Sequence, residues 1–139
     1  RSHPFVSVYE AYKKSGPNVL GVEALQGDDG CTGVKVNTAD GYADYLFTAT
    51  DMQVHHPSKR VSFCGRLGLI REKEGQIQLM YLGCGRSLKK GNFVLESDHD
   101  VYAAIYMQHG VWYYSATGPV RVKIGKETKE LNEGYNQKL

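Results

Sequence analysis

The chain has 139 residues, of which 41% are hydrophobic and 23% are charged, and its formal net charge is +2. These values are typical of one globular domain with its own core and exclude a disordered chain. The small net charge argues against nucleic acid or a membrane surface as partner, and no apolar run approaches the roughly 18 residues of a membrane-spanning helix. Sixteen glycines and ten tyrosines favour strands joined by tight turns.

Strand patterns begin near the start of the chain. We predict strands over residues 5–12, 19–25, 32–38 and 42–49, separated by turn clusters at 15–18 and 27–30 and by the dipeptide Asp40-Gly41. A polar connection containing His55-His56-Pro57 follows over residues 50–60.

A central hairpin is predicted over residues 61–84, with a three-residue turn at 73–75. This register groups the apolar residues on one face: Val61, Phe63, Leu67, Leu69, Ile77, Leu79 and Tyr81. A two-residue turn would set apolar against polar side chains, and the pattern therefore rejects it. The same register sets Cys64 opposite Cys84, just outside disulfide range. This pairing leaves two interpretations open. The two cysteines form a disulfide if the protein is exported, or they are reduced thiols that face each other.

The remaining strands are predicted over residues 92–96, 101–107, 111–116 and 119–124. The residues after 124 are polar and rich in lysine, which indicates a disordered tail over 125–139. No convincing helix is found. Many short strands with regular turns predict an all-β fold, an antiparallel β-sandwich over residues 1–124.

An aromatic face is predicted at the hairpin that follows residue 101. A turn centred on His109 places four aromatic side chains on one face: Tyr102, Tyr106, Trp112 and Tyr114. If exposed, this face offers the flat rings on which sugars stack; otherwise it packs against another sheet or domain. Arg66 and Arg86 flank the central hairpin and suit the carboxylates or sulfates of an anionic polysaccharide, although a solvated charged face is the commoner explanation for such residues.

Several of these segments resemble a known family. The segments 5–12 (FVSVYEAY), 44–47 (DYLF), 65–71 (GRLGLIR) and 78–88 (QLMYLGCGRSL) resemble the C-terminal β region of heparinase II/III-like polysaccharide lyases. Such enzymes cleave uronic-acid polysaccharides by β-elimination, with a catalytic α/α toroid that would precede Arg1. The resemblance therefore implies no catalytic residue in this chain, a structural zinc in the full enzyme, and a periplasmic or extracellular location. Its partners would be the anionic polysaccharide or the missing toroid.

Histidines are candidates for metal binding and for acid–base chemistry. His55 and His56 lie in a loop, but a metal site needs three or four ligands and the sequence does not assemble them. The resemblance makes His3 a weak candidate for a metal ligand, and the alternative is that His3 belongs to a frayed chain terminus. The segment 98–100 (DHD) suits an oriented imidazole, but also an ordinary turn. No nucleophile elbow, zinc-protease motif or phosphate loop is present.

Two further functions remain open at this point. One is a stand-alone carbohydrate-binding module that uses the aromatic face. The other is a purely structural interaction domain. Exposure of the aromatic face separates them, because a binding module needs its rings in water and an interaction domain covers them.

Overall fold

The structure is a computed structural model that describes residues 7–11, 16–25, 27–28 and 30–139. Within these ranges the chain forms ten β-strands and no helix, which confirms the all-β prediction. The strands are β1 (Val19–Leu25), β2 (Cys31–Thr38), β3 (Tyr42–Ala49), β4 (Val61–Lys73), β5 (Gln76–Lys90), β6 (Phe93–Gln108), β7 (Val111–Ala116), β8 (Val120–Ile124), β9 (Glu127–Leu131) and β10 (Gly134–Lys138). No described segment is a helix long and apolar enough to cross a membrane.

The strands form one antiparallel sheet that bends into two layers. Its order is β1-β2-β3-β4-β5-β6-β7-β10, while β8 pairs with β6 and β9 pairs with β8. Strands β4, β5 and β6 have 13, 15 and 16 residues, so each contributes to both layers. The first layer consists of β1–β3, β7, β10 and residues 67–73, 76–83 and 101–108. The second consists of β8, β9 and residues 61–64, 87–90 and 93–96.

Two glycines make the bend between the layers. Gly65 of β4 lies opposite Gly85 of β5 at an irregularity in both strands. A Cβ atom added to Gly85 would lie 2.7 Å from the carbonyl oxygen of Cys64 and 2.8 Å from Cα of Gly65. The bend therefore needs a residue without a side chain at this point. In β6 the bend falls on residues 97–100, between the pairs Gly85–Val101 and Ser87–Glu96.

The core lies between the two layers. Phe47 of the first layer packs on Phe63 of the second, and Trp112 packs on Phe93; both pairs of ring centroids are 5.9 Å apart. Burial of each large apolar side chain contributes about 1.5–3 kcal/mol. The largest fully buried side chains come from both layers: Phe47, Phe63, Ile70, Met80, Leu82, Leu88, Leu95, Ile105, Val61 and Pro57. This packing confirms the predicted sandwich.

The hairpin between β4 and β5 turns over two residues, Glu74 and Gly75, with φ angles of 52° and 75°. Positive φ at both positions is the signature of a type I′ turn. The predicted three-residue turn is wrong, because Lys73 pairs with Gln76. A bulge near the turn moves the register by one more residue and keeps apolar residues together.

The new register changes the core face of this hairpin. Leu67 is exposed and faces away from Phe63, although they were predicted to share a face; Ile70, Met80 and Leu82 are buried instead. Cys64 lies opposite Ser87, so the predicted Cys64–Cys84 pair is wrong. Cys31, Cys64 and Cys84 are free thiols.

Both ends of the chain differ from the prediction. Residues 7–11, expected in a first strand over 5–12, lie outside any strand; residues 5, 6 and 12 are outside the described ranges. The expected tail over 125–139 instead forms β9 and β10, which pair with β8 and β7. A polar strand needs only one apolar face or a neighbouring edge to pair with, and β7 and β8 supply those edges.

Candidate functional site

The hairpin between β6 and β7 decides which aromatic residues face outward. It turns over His109 and Gly110, whose φ angles are 51° and 77°, so it is a two-residue turn. Tyr106 consequently lies opposite Tyr113, and Ile105 lies opposite Tyr114. His109-Gly110 is a turn as predicted, but the predicted register is wrong by one residue.

Trp112 and Tyr114 therefore belong to the inner face, contrary to the predicted aromatic set. Tyr114 is 8% exposed, and its hydroxyl donates to the carbonyl oxygen of Asn132 at 3.1 Å. Trp112 is half-buried against Phe93. A one-residue register shift moves every side chain of a strand to the other face, which explains the exchange.

Four tyrosines share the outer face of β5, β6 and β7. Tyr102 and Tyr106 alternate with the buried Ala103 and Ile105 along β6, and cross-strand pairing adds two more rings: Tyr81 and Tyr113. Tyr106 and Tyr113 stack with centroids 6.0 Å apart and ring planes 16° apart. The sequence predicted Tyr102 and Tyr106 on this face and missed Tyr81 and Tyr113.

Gly83 allows the ring of Tyr81 to lie down on the sheet. A Cβ atom added to Gly83 would lie 3.0 Å from Cε1 of Tyr81 and 3.2 Å from Cβ of Leu67. The ring therefore runs over the glycine two residues along β5, instead of standing off from the strand. Such a ring presents a face to whatever enters from the solvent.

A groove of about 620 Å3 runs between two of these tyrosines, Tyr81 and Tyr102, and the start of β10; we call it the tyrosine groove. Ala104 lies between Tyr81 and Ser115 across the three strands, so short side chains form the floor. The groove is lined by Tyr81, Tyr102, Ala103, Ala104, Ser115, Ala116, Thr117, Glu133, Gly134 and Tyr135. Tyr102 is 53% exposed and Tyr135 is 77% exposed. The sequence missed Glu133 and Tyr135 because it predicted no structure after residue 124.

Asn136 holds β10 against the outer face beside the groove. Its backbone N–H donates to Oγ of Ser115 at 2.9 Å, and its side-chain oxygen accepts a hydrogen bond from the hydroxyl of Tyr106. Its φ of 49° lies in the left-handed region, where asparagine is one of the better tolerated residues. On the other side, Thr117 accepts from the backbone N–H of Tyr102 at 3.0 Å. Both walls are thus fixed by hydrogen bonds.

Arg66 and Arg86, the predicted polysaccharide contacts, do not line the tyrosine groove. Arg66 donates to the carbonyl oxygen of Thr50. Arg86 donates from Nε to Oδ1 of Asp100 at 2.8 Å, and both partners are about half exposed. The hydrogen bond to Asp100 also raises the pKa of Arg86. Asp100 therefore competes with any anionic sugar for Arg86.

His55 lies in the loop between β3 and β4, within the predicted polar connection, but it is buried, with 5% of its surface exposed. Its backbone pairs with Phe63. Its Nδ1 lies 2.6 Å from Oδ1 of Asp28 and its Nε2 lies 2.7 Å from Oδ1 of Asp51. The other oxygen of Asp28 accepts from the backbone N–H of His56 at 2.7 Å. We call His55, Asp28 and Asp51 together the histidine clasp.

The charges of the histidine clasp are complementary, because a protonated imidazole lies between two carboxylates. Because ionised carboxylates only accept hydrogen bonds, His55 must carry both ring protons to serve both. The hydrogen bond to Asp51 raises the pKa of His55, burial opposes this, and Asp28 adds to it. The bond to His55 lowers the pKa of Asp51. Burial raises the pKa of Asp28, but the hydrogen bonds from His56 and His55 outweigh burial and leave it lowered. Burial and the two carboxylates raise the pKa of Cys31 to about 11.

The other sequence candidates are not assembled into a site. Asp98 to Asp100 lie within β6 at the bend, so the ordinary turn that was the alternative for these residues is wrong. The backbone N–H of His99 bonds to Oγ of Ser97 at 3.2 Å. His3 lies outside the described residues. In the described ranges no group of three histidine, cysteine or acidic side chains is placed to hold a metal ion, so these residues do not fit the zinc implied for the full enzyme.

Comparison with known proteins assigns the chain to a class. Residues 19–107, from β1 almost to the end of β6, match the sequence model of the family described as the endo-acting ulvan lyase C-terminal domain. An endo-acting ulvan lyase of Formosa agariphila is 33% identical over 101 residues, covering 68% of this chain and 12% of the relative. No solved structure matches. The class is thus that of polysaccharide lyase C-terminal domains.

Within that class, the chain belongs to the family of endo-acting ulvan lyase C-terminal domains. The prediction of a polysaccharide lyase C-terminal domain is confirmed, and the narrower heparinase II/III-like assignment stays a prediction. The chain spans 12% of the length of the curated relative. The family match ends at residue 107, so β7 and β10, which complete the tyrosine groove, lie outside it.

Proposed function

We propose that this chain is the non-catalytic β domain of an endo-acting lyase that cleaves ulvan by β-elimination, and that the enzyme is of the heparinase II/III-like type. Membership of the ulvan lyase C-terminal family is the observation that carries the proposal. The catalytic part would be an α/α toroid upstream of Arg1. We extend the proposal to a periplasmic or extracellular enzyme, which is the location that the resemblance to heparinase II/III-like lyases implies.

The requirements of β-elimination favour a non-catalytic role for the described residues. A base must remove a proton next to a uronate carboxylate, and other groups must neutralise that carboxylate. His55 is held protonated between two carboxylates and is not a base. His99 and His109 lie at an exposed bend and a hairpin turn, and Arg86 is paired with Asp100. His55 and Arg86 are thus already paired with carboxylates of this chain.

The test compares this chain alone with the whole enzyme that carries it. Each is incubated with ulvan, heparan sulfate and alginate, and the ultraviolet absorbance of the unsaturated uronate product is followed. We expect cleavage of ulvan by the whole enzyme and no product from the isolated chain. Product from the chain alone would contradict its non-catalytic role, and cleavage only of another polysaccharide would contradict the substrate.

A further inference from the structure

We propose that the tyrosine groove binds the uncharged rings and ring faces of a polysaccharide chain, and that this domain thereby holds substrate for the enzyme. The inference rests on the proposed function for its ligand, a polysaccharide, but not for its geometry. It shares Tyr102 and the stacking of sugar rings with the sequence-based hypothesis, but it differs in the other residues and in the role of charge. That hypothesis also used Tyr106, Trp112, Tyr114 and two arginines; the groove instead adds Tyr81 and Tyr135 around a floor of short side chains.

The shape of the groove suits sugar rings. Its volume of about 620 Å3 lies within the range of roughly 300–1,000 Å3 that is typical of small-molecule sites. Tyr81 lies down over Gly83, and Tyr102 is more than half exposed. Aromatic rings combine an apolar face for C–H groups with a polar hydroxyl that stays wet. Ala104 and Ser115 leave depth between the rings, which bulky residues at these positions would fill.

The charge of the groove selects the part of the ligand that it contacts. Among the described residues that line it, Glu133 is the one charged side chain. A carboxylate accepts hydrogen bonds from sugar hydroxyls and repels sulfate and uronate groups. The groove therefore suits the uncharged portions of an anionic chain, and its affinity should not fall as added salt screens the charges.

The same chemistry disfavours a protein as occupant. A protein surface that covered the groove would have to remove Glu133 from water and supply it with donors or a cation. Sugar hydroxyls satisfy the carboxylate while its rim stays hydrated. The groove walls are also fixed in advance, by Asn136 on one side and Thr117 on the other, which reduces the entropy lost on binding.

The first arm of the test measures binding to the 139-residue chain by titration calorimetry. The probes are ulvan oligosaccharides and the same oligosaccharides after desulfation and reduction of their carboxyl groups. We expect saturable binding of both, with a dissociation constant that changes less than about twofold between low and high salt. Binding that disappears on neutralising the ligand, or that collapses in high salt, would overturn the inference.

The second arm uses variants of the groove. Tyr102→Ala and Tyr135→Ala should each weaken binding about tenfold, which corresponds to about 1.4 kcal/mol, and Ala104→Tyr should abolish it by filling the floor. Tyr9→Ala is the matched control, because Tyr9 is 91% exposed and does not line the groove. Circular dichroism and thermal unfolding confirm that each variant is folded. Equal affinity of all four variants and the native chain would overturn the inference.

The third arm separates this inference from the proposed function. Cleavage of ulvan is measured for the whole enzyme, and binding is measured with the chain and with the enzyme. Cleavage without any binding to the chain overturns the groove and leaves the lyase assignment standing. Binding to the groove without cleavage of ulvan by the enzyme overturns the lyase assignment alone. Binding to the isolated chain that is blocked in the whole enzyme shows a covered groove and overturns the inference.

Discussion

The two faces of the β6–β7 hairpin carry the same kind of residue with opposite consequences. On the inner face Tyr114 is 8% exposed and bonded to a backbone carbonyl, beside Trp112 on Phe93. On the outer face Tyr102 is 53% exposed at the edge of an open groove. Residue type alone therefore does not distinguish an aromatic core from an aromatic binding surface. The register of the hairpin does.

The largest expected effect is a difference in the free energy of unfolding between a substitution on the inner face and one on the outer face. Tyr114→Ala should lower the free energy of unfolding by about 3–5 kcal/mol, because it leaves a cavity and removes the bond to Asn132. Tyr102→Ala should change it by less than about 1 kcal/mol. Urea unfolding of both variants checks the comparison. A stability loss at Tyr102 equal to that at Tyr114 would contradict the assignment of faces.

A second prediction concerns the polar interior at the histidine clasp. His55→Gln should lower the free energy of unfolding by about 1.5–3 kcal/mol near pH 6, because two charge-assisted hydrogen bonds are weakened. The control is His99→Gln, at an exposed position whose backbone alone bonds to Ser97; it should leave stability unchanged. Equal effects of the two substitutions would contradict a structural role for His55.

The pH dependence of the native chain follows from the same residues. The raised pKa of His55 means that its contribution is complete below the unfolded-state pKa near 6.5 and is lost as the pH rises through the folded-state pKa. The lowered pKa values of Asp28 and Asp51 give contributions that are complete above about pH 4 and are lost as the pH falls. We therefore expect stability to decline above pH 6.5 in the native chain and less steeply in His55→Gln.

A smaller contrast uses two glycines of β5. Gly85→Ala should cost about 1–3 kcal/mol, because its Cβ meets backbone atoms at the bend. Gly83→Ala should cost less than Gly85→Ala, since its Cβ comes closest to the ring of Tyr81, which can move, and meets no backbone atom within 3.3 Å. It should nevertheless tilt Tyr81 and weaken saccharide binding. Thermal unfolding and calorimetry on the two variants measure both effects, and the reverse ranking would contradict the proposed bend.

The smallest effect is expected at the arginine that the sequence favoured. Arg86→Gln breaks an exposed ion pair with Asp100, and such pairs contribute little to stability. We expect no resolvable change in the melting temperature and no change in affinity for neutralised oligosaccharides. A clear loss of that affinity in Arg86→Gln would show that the arginines, and not the tyrosine groove, hold the sugar.

Strand periodicity in the sequence predicted the fold class and several strands to the residue, including β1, β3 and β7. It failed at the turns. The first hairpin was predicted with a three-residue loop and the second with a turn centred on His109, but Glu74-Gly75 and His109-Gly110 each turn over two residues with positive φ. In the β4–β5 hairpin a bulge offsets part of the error. The six cross-strand pairs of β6 and β7 keep one continuous register, so the aromatic residues of β7 changed face while Tyr102 and Tyr106 of β6 did not.

The tyrosine groove could be predicted only in part. Histidine tolerates positive φ better than most residues, and with the following glycine it was the available signal for a two-residue turn at His109. That signal alone would have moved Tyr113 outward and Trp112 inward. Glu133 and Tyr135 carried no comparable signal, because a short polar strand such as β10 is defined by pairing with β7 and not by its own pattern.

Hydroxyl-radical footprinting with mass spectrometry, with and without ulvan oligosaccharides, tests the division between the two faces most directly. The account predicts strong oxidation of Tyr102 and Tyr135 in the free chain, a marked decrease at both residues when saccharide is bound, and no change at Trp112 or Tyr114. Protection of Trp112 with unchanged oxidation of Tyr102 and Tyr135 would contradict the account, because it would place the saccharide on the face assigned here to the core.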